Sequence, residues 1–292
     1  MLNFMNFNPT SLAEYLMYCT VKINTHDSGG KMTGSGTGFY FDYLSADGRV
    51  MPLVVTNRHV VEGEWGNSFR VHISVINDGK PMPSGVCEDV VINNIQNEWV
   101  FHPDPLVDLA ILPFVPVERP LTKRGLSVYR QALTQSLIPS AEVLSSLLPN
   151  EEITMVGYPT SLWDEINNYP LFRRGITATH PAINFMGKKE FLIDMAAYHG
   201  SSGSPVVVCN QSFFPTKDGS LKAGNRLLFL GVLHAGAVRR TKGKIVQAPV
   251  PTSVNDELVF EQMVHIGYVI QASQLLELIE AFVARVSSKA VT

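Results

Sequence analysis

The chain has 292 residues, 45% of them hydrophobic and 17% charged, enough to bury a substantial core in one domain or two small lobes. Its formal net charge of −3 gives no global basic field, and the paired cations Arg173-Arg174, Lys188-Lys189 and Arg239-Arg240 read as solvated surface, so nucleic acid is not an expected partner. No apolar run approaches the roughly 18 residues needed to span a bilayer, and Met1–Pro9 lacks the basic start and long apolar core of a signal peptide. The expectation is a cytoplasmic protein without membrane contact. The cysteines Cys19, Cys87 and Cys209 are odd in number and read as buried thiols in a reducing compartment. The histidines are scattered and there is no Cys-x-x-Cys, so neither a metal nor an organic cofactor is expected.

Ser11-Leu12-Ala13-Glu14 is a capping-box pattern and predicts a short helix to about Tyr18. Cys19–Asn24 reads as a strand and Asp27–Gly30 as a turn. Thr37–Tyr43 and Val50–Thr56 read as a strand pair joined at Ser45–Gly48. Phe69, Val71, Ile73 and Val75 alternate with polar residues, a half-buried strand that puts His72 on the solvent side. Val90–Ile95, Glu98–His102 and Leu109–Leu112 complete about six strands, enough for one small barrel. Pro113–Pro149 is proline-bearing and polar, and reads as a crossing segment with a turn of helix in Ala141–Leu148. Ile153–Gly157, Gly175–Thr179, Glu190–Met195, Val206–Cys209, Leu227–Leu233 and Val264–Ile270 supply a second set of strands. A terminal helix follows, with Ser273 as N-cap and Leu275, Leu276, Ile279, Phe282, Val283 and Val286 on one stripe. No further domain is read after Ile270.

One stretch carries chemistry. His199-Gly-Ser-Ser-Gly-Ser-Pro205 is a glycine-rich turn leading into Val206-Val207-Val208. Such a turn can aim backbone N–H groups and one hydroxyl at a single point, as acyl transfer requires. A serine needs a base, and the base an orienting group. Upstream, His59 follows the apolar run Leu53–Val55 within Thr56–Val61. Asp108 heads the apolar strand Asp108–Leu112, with Asp104 a competitor four residues away.

In Gly34–Phe39, Thr56–Val61, Asp108–Leu112 and Gly200–Pro205, with a weaker match at Val156–Pro159 and Arg174–Ile176, the chain resembles the chymotrypsin-fold serine proteases. Within them it is most similar to the bacterial trypsin-like branch of HtrA-type and glutamyl-endopeptidase-like enzymes. The patterns span residues 34 to 236 in family order. The resemblance implies an all-β fold of two six-stranded antiparallel β-barrels with a C-terminal α-helix. Residues 1–115 would form the lobe carrying His59 and Asp108, 116–150 the linker, and 151–292 the lobe carrying Ser202 and the helix.

The resemblance further implies that Ser202 is the nucleophile, His59 the general base and Asp108 the group that orients it, with the backbone N–H groups of Gly200 and Ser202 as oxyanion hole. Ser201 stands where secreted trypsins carry an aspartate, so zymogen activation of their kind is not expected. The substrate pocket maps to Ala196 and Ala197, with His199 near its rim, and to His234 and Gly236 on the Gly231–Gly236 strand. Ala196 argues against an acidic floor and hence against Arg or Lys at P1. His234 faces either the triad aspartate or the pocket, because one residue of slip exchanges the faces of a strand. P1 is left open between Glu/Gln and a small apolar or aromatic residue. The function implied is a serine endopeptidase acting on polypeptides, with room for a regulatory protein partner. The alternative is a silent fold that binds protein or peptide.

Overall fold

The computed structural model describes residues 9–159, 163–244 and 257–289. Met1–Asn8 therefore lie outside the described residues, as do the side chains of Arg239-Arg240. The first lobe begins with α1 (Leu12–Met17), whose capping box is present: Ser11 Oγ accepts from the Glu14 N–H, and the Glu14 carboxylate accepts from the Ser11 N–H. β1 (Thr20–His26), β2 (Met32–Leu44), β3 (Val50–Thr56), the single turn α2 (Arg58–Val61), β4 (Gly66–Asn77), β5 (Lys80–Asn93), β6 (Val100–Phe101) and β7 (Ala110–Pro113) follow.

Residues 114–150 are more structured than a plain crossing segment. They hold α3 (Val115–Thr122), β8 (Val128–Tyr129), β9 (Leu133–Thr134) and α4 (Ala141–Ser146). β8 pairs with β4, and β9 runs parallel to β2. The first sheet thus has nine strands, in the order β5-β4-β1-β2-β3-β7-β6 with β8 and β9 attached to the side. Among the described pairings nothing joins β5 to β6, so this sheet is not closed by hydrogen bonds, unlike the barrel expected here. β6 spans only two residues and is spent on β7.

The second lobe comprises β10 (Glu152–Gly157), β11 (Leu171–Thr177), β12 (Glu190–Asp194), β13 (Pro205–Asn210), the small hairpin β14 (Phe213–Pro215) and β15 (Leu221–Ala223), β16 (Arg226–Lys244), β17 (Glu257–Gln271) and α5 (Ala272–Lys289). β10-β11-β12-β17-β16-β13 is a closed barrel of antiparallel pairs, as expected. Ser273 is not the N-cap of α5, because the helix begins one residue earlier.

The core has three parts. One fills the first sheet around Ile23, Tyr40, Val54 and Phe69. One fills the barrel around Ile153, Phe191, Val206 and Val269. The third joins the lobes, with Phe39 and Phe41 of β2 set against Phe229 of β16. α5 packs on this joint through Leu275, Leu278 and Ile279. Its main strand contacts are with β16 and β17 of the second lobe, as expected. Leu278 takes a buried place the stripe did not predict, and Val286 is exposed.

Candidate active site

The turn that carries His59 is pinned to residue 108. Asn57 Nδ2 donates to the Asp108 carbonyl at 2.8 Å. The His59 backbone N–H donates to Asp108 Oδ1 at 2.9 Å, and His59 Nδ1 lies 2.5 Å from Asp108 Oδ2. The carboxylate thus holds backbone and ring of the same residue, which fixes the ring's orientation. With Nδ1–H donated to a carboxylate, Nε2 is the free basic nitrogen. Asp104 is not the partner; it is exposed and caps its own turn by accepting from the Leu106 N–H. Val60 and Val61 anchor the other side of the helical turn in the first-sheet core.

The serine turn is held equally firmly. Gly200 and Gly203 adopt φ of 82° and 87°, in the left-handed region that favours glycine. The Ser201 N–H donates to the Tyr198 carbonyl, the Gly203 N–H to that of Leu233 and the Ser204 N–H to that of Ser201. Among the described residues the N–H groups of Gly200 and Ser202 make no backbone hydrogen bond. Because the Ser201 carbonyl is fixed by Ser204, the N–H on the same peptide plane, that of Ser202, is fixed in direction as well.

Exposure separates the three serines. Ser201 is 1% and Ser204 0% exposed, and both hydroxyls are buried without a partner, whereas Ser202 is partly open to solvent. Of the three, Ser202 alone is accessible from solvent.

The first lobe holds this turn through Thr37, a residue that sequence reasoning quoted in Gly34–Phe39 without giving it a role. Its backbone N–H donates to the Ser202 carbonyl at 2.9 Å and its hydroxyl to the Gly200 carbonyl at 2.8 Å. The hydroxyl in turn accepts from the Tyr158 N–H, and the Thr37 carbonyl accepts from Thr56 Oγ1 at 2.7 Å. Thr56 ends β3, three residues before His59.

Of the residues mapped to the pocket, Ala197 is buried among Ile193, Met195 and Leu233. The Ala196 carbonyl accepts from Arg173 Nη1 at 2.7 Å. Tyr198 and His199 are exposed, and the Arg173 guanidinium lies over the Tyr198 ring, 4.8 Å from its centroid. Arg173 is thus half-buried and engaged rather than plain solvated surface, whereas Arg174 is exposed and pairs with Glu152. His234 is turned to the aspartate: its Nδ1 is 3.8 Å from Asp108 Oδ2 and its Nε2 3.5 Å from Glu190 Oε1. Gly236 pairs with Gly267 of β17. Glu190 had no sequence motif to mark it. No group of His, Cys, Asp and Glu among the described residues is arranged to hold a metal ion.

His72 is not on the surface. It is 7% exposed, and its Nε2 donates to the Asn168 carbonyl at 3.2 Å. The solvent face assigned to it is covered by Tyr18 and Tyr169, whose rings contact it. Burial pushes its pKa down to about 4. The three cysteines are unpaired. No helix among the described residues is long and apolar enough to cross a membrane.

A mostly antiparallel sheet carrying a histidine–aspartate pair, beside a closed antiparallel barrel carrying a tight serine turn, defines a two-lobed peptidase-like architecture. The chain belongs to the trypsin-like peptidase domain family, whose profile matches residues 36–213. No curated protein matches it. Among solved structures it is similar to the Rv3671c protease from M. tuberculosis in its active form, at 18% identity and a TM-score of 0.43, covering 92% of this chain and 82% of that one. It is also similar to the thermostable serine protease AL20 from an extremophilic microorganism, at 12% identity and a TM-score of 0.42, covering 91% of this chain and 97% of that one.

Proposed function

We propose that this protein is a serine endopeptidase in which Ser202 attacks the peptide carbonyl, His59 takes the serine proton and returns it to the leaving amine, and Asp108 orients and stabilises the protonated imidazole. The observation that carries the reading is the double hold of Asp108 on His59, ring and backbone together. That arrangement leaves Nε2 as the base and fixes its tautomer. The unengaged N–H groups of Gly200 and Ser202 serve as oxyanion donors; removing one such donor typically costs about 10² to 10³ in rate. The acyl-enzyme is then hydrolysed by water with His59 as base again.

The substrate in this reading is a polypeptide. Three unpaired cysteines support a reducing, cytoplasmic setting, where a protein partner would serve to switch activity on. A fluorophosphonate probe tests the proposal. It should label the native protein on Ser202 and leave Ser202→Ala unlabelled. A folded native protein that resists the probe would instead be a binding module on the same fold.

A further inference from the structure

Arg173 and Arg174 are neighbours on β11 with different surroundings. Arg174 is exposed and paired with Glu152, whereas Arg173 is half-buried and, among the described residues, pairs with no carboxylate. Its cation is directed at the segment Met195–His199 instead. Nη1 donates to the Ala196 carbonyl at 2.7 Å, and the guanidinium lies over the Tyr198 ring, 4.8 Å from its centroid. The His265 ring of β17 stands edge-on to Tyr198, with centroids 6.4 Å apart. The His265 carbonyl also accepts from the Met195 N–H at 2.8 Å, and His265 is held at a φ of 60°, a region that residues with side chains seldom adopt.

Met195–His199 leads from β12 to the serine turn without forming a strand or helix. Its far end meets the proposed oxyanion donor, because the Gly200 N–H lies in the peptide plane shared with His199. The next plane is held from the first lobe, where the Thr37 hydroxyl donates to the Gly200 carbonyl. The direction of the N–H plane depends on the course of the segment before it. The Tyr198 carbonyl accepts from the Ser201 N–H, so a shift of Tyr198 acts on both sides of Gly200.

We propose that Arg173 is a positioning residue for the oxyanion hole: it holds the Ala196 carbonyl and the Tyr198 ring in one place and so sets the direction of the Gly200 N–H. The inference rests on the triad reading above. The double contact calls for a guanidinium, whose planar fork donates in its own plane while its face lies on an aromatic ring. A lysine ammonium can make either contact but lacks the flat geometry that makes both at once.

The test is saturation kinetics of labelling by an alkyl fluorophosphonate, which separate the rate at saturation from the half-saturating probe concentration. As the bond from Ser202 Oγ to phosphorus forms, fluoride leaves, the serine proton passes to His59 and the phosphoryl oxygen takes the place of the oxyanion. A misdirected Gly200 N–H therefore lowers the rate at saturation and leaves half-saturation unchanged. Arg173→Met, of similar length but without donor or charge, should label about 10- to 100-fold more slowly at saturation, the scale of a misplaced catalytic group. Arg173→Lys should recover part of that loss. Tyr198→Leu should also slow labelling, and the double variant Arg173→Met/Tyr198→Leu should lose no more than Arg173→Met, because the two act through one brace. Arg174→Met should label as the native protein does. Each variant is checked by thermal unfolding and assayed well below its own melting temperature.

A native rate at saturation in folded Arg173→Met overturns the proposal and leaves the triad reading standing. So does a change confined to half-saturation, which would mark a role in probe binding, or an equal loss in Arg174→Met, which would mark a general charge effect. Full recovery in Arg173→Lys overturns it as well, because charge alone would then suffice. Additive losses in the double variant separate Arg173 from Tyr198 and overturn the brace. If Arg173→Met does not fold, a native rate in either Arg173→Lys or Tyr198→Leu overturns it. A folded native protein that is never labelled contradicts the triad reading itself and this inference with it.

Discussion

Thr37 and Ser202 come from different lobes, yet the backbone N–H of Thr37 donates to the Ser202 carbonyl at 2.9 Å while the Thr37 hydroxyl donates to the Gly200 carbonyl at 2.8 Å. One residue on β2 thus holds the serine turn at two carbonyls, one through its backbone and one through its hydroxyl, and the same hydroxyl also receives the Tyr158 N–H. Replacing it with Val keeps the shape but strips the hydroxyl and leaves a buried carbonyl and a buried N–H unpaired. Each unsatisfied group costs about 1–3 kcal/mol. Thr37→Val should lower the melting temperature and slow labelling of Ser202, and Thr37→Ser should restore most of both. Native labelling in a folded Thr37→Val would show that the clamp is not needed for the turn.

Gly203 is the tightest point of that turn. A Cβ there would lie 1.9 Å from the Thr37 carbonyl oxygen and 2.5 Å from Thr56 Oγ1, at a φ of +87°. Gly219 has a similar φ of +80° with nothing within 4 Å. Gly203→Ala should therefore be severely destabilising or force the Ser202 turn out of place. Gly219→Ala should cost only about 1 kcal/mol of backbone strain. Chemical denaturation of the two variants side by side checks the contrast; equal losses would contradict it.

The second lobe contains a buried ion pair. Glu151 is 2% exposed; its carboxylate accepts from the Leu148 N–H at 3.1 Å and is paired with Arg226, which also donates to Asn210 Oδ1 at 2.9 Å. Arg226→Met removes the partner and strands a buried charge, a change worth about 3–5 kcal/mol of lost stability. Adding Glu151→Gln should recover part of it. Urea unfolding of the single and double variants measures this, and a double variant as weak as the single one would argue against the pairing.

His72 gives the protein an acid-sensitive element. Its pKa is depressed to about 4 from an ordinary value of 6.5. Between those values the unfolded chain binds the extra proton and the folded one does not, so stability is complete above pH 6.5 and falls as the pH drops toward 4. The full effect is about 3 kcal/mol by linkage. Melting temperature should decline over that window, and the decline should flatten in His72→Gln. An identical acid slope in both proteins would place the sensitivity elsewhere.

The local parts of this architecture were readable in the sequence because they are written in neighbouring residues. The capping box at Ser11–Glu14, the β2–β3 pair, the alternation around Phe69 and the turn at Gly200–Pro205 each specify themselves. The pairing of His59 with Asp108 was legible only through the spacing of family motifs. Contacts made across the chain were not legible. His72 falls on a polar-looking face that Tyr169, far along the chain, covers. Arg173 looks like half of a surface pair until the Ala196 carbonyl is placed beside it. Glu190 reaches His234 only after β12, β17 and β16 lie side by side. The open edge of the first sheet likewise depends on which strands find partners, which composition and periodicity do not determine.

The most direct measurement of the central claim is peptide-library cleavage by the purified protein beside Ser202→Ala. Loss of the nucleophile in a triad enzyme costs about 10⁶ in turnover. The account predicts cleavage by the native protein, with a definable P1 preference, and none above background by the variant. Equal cleavage by both would contradict Ser202 as the nucleophile, and a folded native protein that cleaves nothing would contradict the assignment of protease activity.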